Sequence, residues 1–586
     1  MSSEGTQVPA MEVPAIEKPQ NGIAGLKHWR YDLLAGLQVA LVGLPLSLGI
    51  AVASGAPPIT GVISAIVGGL IYPFLGGSFV TISGPAAGLA PALLAGMLTL
   101  GHGDLTVGYP LLLVAICFTG IVQIILSRFG AGKFGLFFPI SVVEGMLAAI
   151  GVMIIVKMIP NFVGHLTLPV KSIPLAIAKF PENFLHMTPT VFLIGGVSLG
   201  LLILLYQIKH RAAQMIPPPL LVVGLGMLLG WLLDLTPDYL IHIPSDILNQ
   251  GFRLPDFQGV FGHPDLWLDV LLIVVTVTLI DGTESIATVA AIDKIDPFKR
   301  RSDPNKTLQA MGISNLLSSL VGGLTIIPGG MKSTVNIVGG GRTLWANGYY
   351  GLTMMFLLVA GTGLINRIPL ATLAALLMYV GYRLCAIRVF QKVFAIGKEQ
   401  LLIFIVTMVV TLIESDLLVG IGIGMLTKLA ALCFHLVRSP GSQGLPAALK
   451  ELFSNPVIRI GDGRVSNERY REMMSVATCA IRGTAGEMKN PYKIYLSSVT
   501  CMNLMKLDKA LSQIVVPSNT KANYVVIMAG QVIDHTAMEF LHNFQDQCIE
   551  AGHTCVLVGM DHFRAFSDHV LAYRVKHTLQ DSVAYA

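Results

Sequence analysis

Charge is what this sequence has least of. Only 12% of its 586 residues are Asp, Glu, Lys or Arg, against about 25% in an ordinary soluble domain, and the mean hydropathy is +0.69. A chain so poor in charge cannot present most of its surface to water, so the bulk of it is expected in lipid. Paired cysteines are missing as well. The seven thiols, Cys117, Cys385, Cys433, Cys479, Cys501, Cys548 and Cys555, are odd in number and scattered. None has zinc-site spacing, so all read as free, the last four in a reducing cytosol. Residues 1–21 hold no apolar core and predict a flexible tail rather than a cleaved signal peptide. The sequence offers no nucleophile–base pair, phosphate-binding loop or metal-ligand cluster, which leaves enzymatic activity without support. A net charge of +5, spread along the chain, implies no nucleic-acid partner.

What is there is a long series of apolar segments. They fall near residues 33–53, 59–76, 84–98, 109–127, 135–158, 190–207 and 216–234, then 268–291, 307–322, 330–338, 347–364, 369–386, 400–413 and 416–437. That pattern predicts an α-helical membrane protein of fourteen segments, seven plus seven. A full span needs about 20 residues, so the tenth segment is too short to cross alone. With the N-terminus inside, the inner loops collect Lys27, Arg30, Arg128, Lys133, Lys209, Arg211, Lys294, Lys299, Arg300, Arg301, Lys306, Arg383, Arg388, Lys392 and Lys398. The outer connections hold few cations (Lys171, Lys179, Arg253 and Arg367). This asymmetry predicts a cell-membrane protein with both termini in the cytoplasm. Residues 1–24 read as a disordered tail, 25–437 as the membrane domain, 438–474 as a linker and 475–586 as a small cytoplasmic α/β domain. In the last, 492–496, 524–528 and 554–558 read as strands and 536–551 as an amphipathic helix.

Two segments are interrupted in ways a plain span would not need. Ser83-Gly84-Pro85-Ala86-Ala87-Gly88 opens the third, and Ile327-Pro328-Gly329-Gly330-Met331-Lys332 opens the tenth. Breaks at corresponding places in two halves point to a transporter built from inverted repeats, with its site where the broken helices begin. A helix starting inside the membrane leaves N–H groups unpaired and turns its positive dipole end toward the cavity. The candidate anion site is therefore Ser83, Gly84, Ala86 and Ala87 from the first break with Gly330, Met331, Lys332 and Ser333 from the second. The ammonium of Lys332 adds a point charge for an oxyanion; pairing with Glu284 is its structural alternative, and Ser83 and Ser333 can equally serve as helix caps.

The eighth segment carries Asp281, Glu284 and Thr288, spaced to share one helix face. Carboxylates at this depth oppose insertion by roughly 3 kcal/mol each. They predict a coupling site in which Glu284 and the Thr288 hydroxyl bind Na⁺ or Glu284 carries H⁺, with a structural role the alternative, most of all for Asp281. Glu144 is a second candidate acid or a paired structural one, and Asp416 reads as a helix cap. The loop 293–301 reads as solvated.

Together these residues resemble the SulP family of anion transporters, the sulfate permeases. Pro45 with the run Ala53 to Gly61 is similar to the family's first-span signature, and Asp281 to Asp293 to its eighth-span motif. The segment Gly339 to Thr343 resembles the one following its tenth span, and Ile533 to Met538 a turn of its STAS domain. Departures are Leu46 after the first-span proline, Ala86 where a bicarbonate-transporting relative has threonine, and His535-Thr536 in place of serines. The resemblance implies a uracil-permease-like 7+7 inverted fold with core and gate domains and a STAS-like tail that supports a homodimer or regulation. It places Glu284 and Thr288 at cation-coupling positions and Lys332 at a basic anion-binding position. The function expected is secondary active transport of a small inorganic anion, sulfate or bicarbonate, with Na⁺ or H⁺. The alternatives are an uncoupled exchanger or channel for chloride, bicarbonate or dicarboxylate, and a transport-inactive regulatory STAS protein.

Overall fold

The computed structural model describes residues 18–130, 132, 138–165, 172–207, 217–243, 253–438, 444–460, 492–514, 522–560 and 563–576. Residues 1–17 of the expected tail, Lys133, Lys171, Lys209 and Arg211 of the orientation argument, Cys479, and 439–443 and 461–474 of the expected linker lie outside the described residues.

Each expected apolar segment contains a helix. They are α1 (Trp29–Ala53), α2 (Pro58–Leu75), α3 (Ala90–Leu100), α4 (Leu105–Arg128), α5 (Ile140–Val163), α6 (Pro189–Gln207) and α7 (Pro218–Leu232), then α8 (Trp267–Ile295), α9 (Pro304–Leu320), α10 (Gly330–Val338), α11 (Trp345–Ala360), α12 (Leu370–Leu384), α13 (Lys398–Glu414) and α14 (Leu417–Arg438). Their starts follow local chemistry. Proline opens α2, α7 and α9, where its missing N–H has no partner to lose. Asp104 accepts from Thr106 N to cap α4, Asp303 from Asn305 N to cap α9, and Asp416 from Leu418 N at the head of α14. Among the described residues, eight helices are long and apolar enough to cross a membrane. One of the eight is α12 taken with the helix Ile387–Ile396 that follows it; of the other six, α9 and α13 have 17 residues, α11 has 16, α7 has 15, α3 has 11 and α10 has 9. The helix Ile387–Ile396 was not expected; Arg388 and Lys392 sit on it rather than in a loop.

The packing is paired. Helix α4 packs on α9, α2 on α11 and α5 on α12; likewise α1 meets α11 while α8 meets α4, and α13 meets α5 while α6 meets α12. Three contacts are made through facing glycines: Gly120 against Gly312, Gly69 against Gly351, and Gly151 against Gly381. A side chain at any of them would run into the partner's backbone, so small residues set the close approach, as is usual between helices in lipid.

Past α14 the chain forms helix α15 (Leu445–Phe453) and a four-stranded sheet. Its order is β3 (Val457–Ile460), β4 (Tyr492–Leu496), β5 (Asn523–Met528), β7 (Thr554–Val558), with β3 antiparallel to β4 and the rest parallel. Helices α16 (Leu504–Ile514) and α17 (His535–Glu550) accompany it, and β6 (Val532–Ile533), β9 (Arg574–Lys576) and β8 (Phe563–Ala565) make a second small sheet. Thus α15 and β3 lie inside the segment expected to be linker; the sheet begins at Val457, because Val457 and Ile460 pair with Leu496 and Ile494.

Two other expectations are corrected. Residues 18–24 are not part of a free tail. Asn21 donates to Ser78 O and accepts from Leu344 N, and Gly22 O accepts from Trp345 Nε1. Nor is the loop 293–301 simply solvated. Arg300 is 5% exposed, holds Asp296 with two nitrogens at 2.8 and 3.0 Å and donates to the carbonyls of Pro19 and Arg342. These contacts bind the chain's start to the ends of α8 and α10.

The C-terminal part touches the helices through a buried ion cluster. Lys428 on α14, fully buried, lies 3.5 Å from Asp534 and 3.9 Å from Glu399 of α13. Asp534 also caps α17 by accepting from Ala537 N, and accepts from Cys501 N. His435 reaches Glu399 at 3.3 Å and packs against Phe566 and Tyr573. Burial and the Asp534 carboxylate push the Cys501 thiol well up.

Candidate functional site

The two breaks in the sequence meet at the centre of the helices. Strand β1 (Ile82–Gly84) pairs antiparallel with β2 (Ile327–Gly329), Ser83 opposite Pro328. Strand β1 leads through Pro85, Ala86 and a turn at Ala87–Leu89 into α3, and β2 runs directly into α10. Pro85 and Pro328 have no N–H to donate, which limits the ladder, so side chains finish the job. Ile82 N donates to Ser333 Oγ at 2.9 Å, and that hydroxyl donates to Gly329 O at 2.6 Å. Ser83 N donates to Asn347 Oδ1 at 2.7 Å, while Asn347 Nδ2 donates to Thr81 O at 2.6 Å. Asn336 Nδ2 donates to Val80 O at 2.8 Å. Ser333 therefore ties the two breaks together rather than facing the cavity.

Beside this crossing lies a cavity of about 470 Å³ lined by Ala86, Ala87, Gly330 and Met331 together with Glu284, Thr288 and Lys332. Two glycines make room for the two charges. A Cβ at Gly84 would collide with Lys332 Nζ, and one at Gly88 with the Glu284 carboxylate. Lys332 is 4% exposed, and among the described residues neither its Nζ nor Glu284 Oε2 has a hydrogen-bond partner. The ammonium sits 5.9 Å from the Tyr350 ring centre. No ion pair joins Lys332 to Glu284, so neither charge is satisfied by the other. An isolated buried charge is strongly unfavourable. The cavity thus brings together an ammonium and a carboxylate that do not pair with each other, with Arg383 also in its wall.

The remaining candidates separate from this cavity. Asp281, fully buried, faces away into a polar cluster in which Gln123 Nε2 of α4 and Asn315 Nδ2 of α9 both donate to its Oδ2 at 2.9 Å. Asn315 also donates to Gln123 Oε1 and accepts from Ile326 N. That cluster fixes α8 to α4 and α9 and holds the approach to β2, so Asp281 anchors the helix that presents Glu284. Ser83 and Gly84 lie on β1 and do not line the cavity. Glu144 pairs with the exposed Lys392 at 3.0 Å. The sequence reading missed Asn315, Asn336, Asn347 and Gln123, although a carboxamide inside an apolar helix is itself a signal, since it must find a partner there. It also missed Gly88, whose role shows only when α8 is laid against the first break.

The chain was compared with known proteins. The profile described as Sulfate permease family matches residues 29–407. A putative sulfate transporter, YvdB of Bacillus subtilis (strain 168), is 27% identical over 414 residues, covering 68% of this chain and 73% of its own length. The bicarbonate transporter BicA of Picosynechococcus sp. is 24% identical over 404 residues, covering 68% and 69%. Among solved structures, the transmembrane domain of a cyanobacterium bicarbonate transporter BicA aligns with TM-score 0.60 at 23% identity, over 67% of this chain and 97% of that one. Murine Solute Carrier 26 family member A9, an anion transporter in the inward-facing state, aligns with TM-score 0.61 at 15% identity, over 90% and 85%. At these identities the structural likeness is one of fold.

Proposed function

Because the chain belongs to the sulfate permease family, an integral membrane family of anion transporters and not of enzymes, we propose that it carries sulfate or bicarbonate by secondary active transport, coupled to Na⁺ or H⁺ through Glu284. The observation that supports this most is the cavity's pair of unpartnered charges, Lys332 and Glu284. The ammonium, with the free N–H groups where α10 and the turn before α3 begin, would hold the oxyanion. The Glu284 carboxylate would take a proton, or a sodium ion shared with the Thr288 hydroxyl. Arg383 also lines the cavity, so its charged side chains sum to +1, and a sulfate dianion taken up with one cation brings the total to zero. An uncoupled exchanger or channel, with Glu284 serving only to neutralise Lys332, has less support because no ion pair joins them; a transport-inactive regulatory protein would have no use for either charge.

The architecture in this proposal is a 7+7 inverted repeat of fourteen segments, α1–α7 and α8–α14. The packing favours it. Exchanging each helix for its counterpart seven places on turns α2–α11 into α9–α4, α1–α11 into α8–α4 and α13–α5 into α6–α12, and α5–α12 into itself. The facing glycine pairs follow the same exchange, and the antiparallel β1–β2 crossing suits two repeats of opposite direction. We read the C-terminal sheet and helices as a STAS-like domain on the cytoplasmic side, beside both termini, and the assembly as a homodimer.

The test is uptake into proteoliposomes of labelled sulfate and labelled bicarbonate, each with and without a Na⁺ gradient and a pH gradient. Glu284→Gln is expected to fold and bind anion but lose concentrative uptake, since an amide neither releases a proton nor balances a cation. Wild-type accumulation that ignores both gradients, or a Glu284→Gln protein that still concentrates anion, would remove the coupling assignment.

A further inference from the structure

A second cavity, of about 380 Å³, lies at the other end of the same helices and holds a second lysine that the mechanism above does not use. The two cavities are strung along α1, α3 and α12. On α1, Leu46 and Ile50 line the first and Val52 and Ala53 the second; on α3 the approach at Pro85 to Gly88 lines the first and Leu94 the second. On α12, Leu377, Val380 and Arg383 line the first and Leu370 the second. At 1.5 Å per residue, Leu370 and Leu377 are about 10 Å apart along the axis. The two linings are thus about two helical turns apart on α12 and come within two residues, Ile50 and Val52, on α1; α5 joins only the second.

Lys157 of α5 lines this second cavity, and its Nζ is buried with no hydrogen-bond partner among the described residues. Asn161, Asn183, Lys179 and His242 share the wall, and among the described residues no Asp or Glu does. Lys157 is six residues from the end of α5 at Val163, too far into the helix for the dipole, which fades within the last turn, to explain a cation there. The wall of the first cavity includes a carboxylate; among the described residues, the ionisable side chains of this one are Lys157, Lys179 and His242 alone. A buried ammonium without a counter-charge in the protein is stable when a solute anion supplies it.

We propose that the second cavity is a separate binding site for a small inorganic anion, with Lys157 as its charge and Asn161 and Asn183 as neutral donors, distinct from the place beside Lys332. The proposal rests on the anion-transport reading and adds a site to it. Because no carboxylate lines it, binding there needs no coupling cation.

The test is equilibrium binding of radiolabelled sulfate, and separately of labelled bicarbonate, to the purified full-length protein, with and without Na⁺. The Lys332→Ala protein is expected to keep one saturable site that is indifferent to Na⁺. Adding Lys157→Gln should weaken that residual site about tenfold or more, while Lys157→Arg in the same background retains most of it and shows that loss is not misfolding. Residual binding unchanged by Lys157→Gln, or equally weakened by Lys157→Arg in a protein with an unaltered melting profile, would overturn the second site. Lys332→Ala protein with no saturable binding, when the wild type binds, would overturn it too while leaving the transport reading intact. Wild-type protein that binds neither anion would sink both.

Discussion

Lys332 and Lys428 are both lysines on membrane helices, 4% and 0% exposed, and they have opposite surroundings. Lys428 has Asp534 at 3.5 Å and Glu399 at 3.9 Å, beyond hydrogen-bond length but within reach of an ion pair, and the Tyr573 ring 5.4 Å away. Lys332 has an aromatic ring at similar range and, among the described residues, no carboxylate within ion-pair reach. Burial alone therefore does not mark a functional charge. The difference lies in where the counter-charge comes from. For Lys428 the chain supplies it, from α13 and from the turn before α17, so the lysine holds the C-terminal domain to the helices. For Lys332 no described residue pairs with the ammonium, which lines a cavity instead.

Breaking Lys428 should have the largest effect. Lys428→Met leaves Asp534 and Glu399 buried without their cation, which is expected to remove about 3–5 kcal/mol from the docked arrangement. The expected readout is a lowered melting transition and faster proteolysis between α14 and α15, with the anion half-saturation constant of the surviving protein unchanged. A large loss of anion affinity in this variant would erase the distinction between the two lysines.

Lys332→Ala should behave in the opposite way. It removes an unpartnered charge, so the melting transition is expected to hold or rise. Anion affinity should fall by about 2–4 kcal/mol, roughly 30- to 1000-fold, through the lost charge-assisted contact. Lys332→Arg should recover part of it, limited by the bulk of the guanidinium at the start of α10. If Lys332→Ala were instead strongly destabilising with normal affinity, Lys332 would be a structural residue like Lys428. Thr288→Val, which keeps the shape and removes the hydroxyl, should change the apparent Na⁺ constant several-fold if Na⁺ is the driver. An uptake that is proton-driven should leave it unmoved.

The contrast also shows what the sequence could reveal. Lys332 was legible because Pro328, Gly329 and Gly330 break an apolar run immediately before it, and a helix start with a cation needs a reason. Glu284 was legible because a carboxylate in the middle of an apolar segment is rare. Lys428 and Lys157 were not legible: both sit in unbroken helices, where a lysine reads as one whose long stem reaches the interface. Their meaning depends on Asp534, more than a hundred residues from Lys428, and on a cavity to which seven helices contribute. The order of apolar segments carried over well to α1–α14, since hydropathy reports helices directly. The domain boundary did not, because β3 is short and separated from β4 by a long stretch, so pairing rather than pattern makes it a strand. Asp281 and Glu284 share a face on paper, yet Gln123 and Asn315 capture the first and leave the second to the cavity; only tertiary contact distinguishes them.

The finest test of Lys332 leaves the lysine in place. Gly84 lies on β1, and a Cβ there would meet the ammonium itself, with Tyr350 Oη next at 3.4 Å. The obstructing atom is the far end of a flexible side chain rather than backbone, so Gly84→Ala should disturb the fold little and move the ammonium. If that ammonium binds the anion, Gly84→Ala is expected to raise the half-saturation constant by about tenfold, some 1.4 kcal/mol, with a melting transition close to wild type. The decisive measurement is the double variant. Gly84→Ala should add nothing to Lys332→Ala, because its only route to the anion is through Nζ, giving a coupling energy about equal to the Gly84→Ala effect. Additive losses would mean that Gly84 matters through its backbone and the β1–β2 crossing, and that the position of the Lys332 ammonium is incidental to binding.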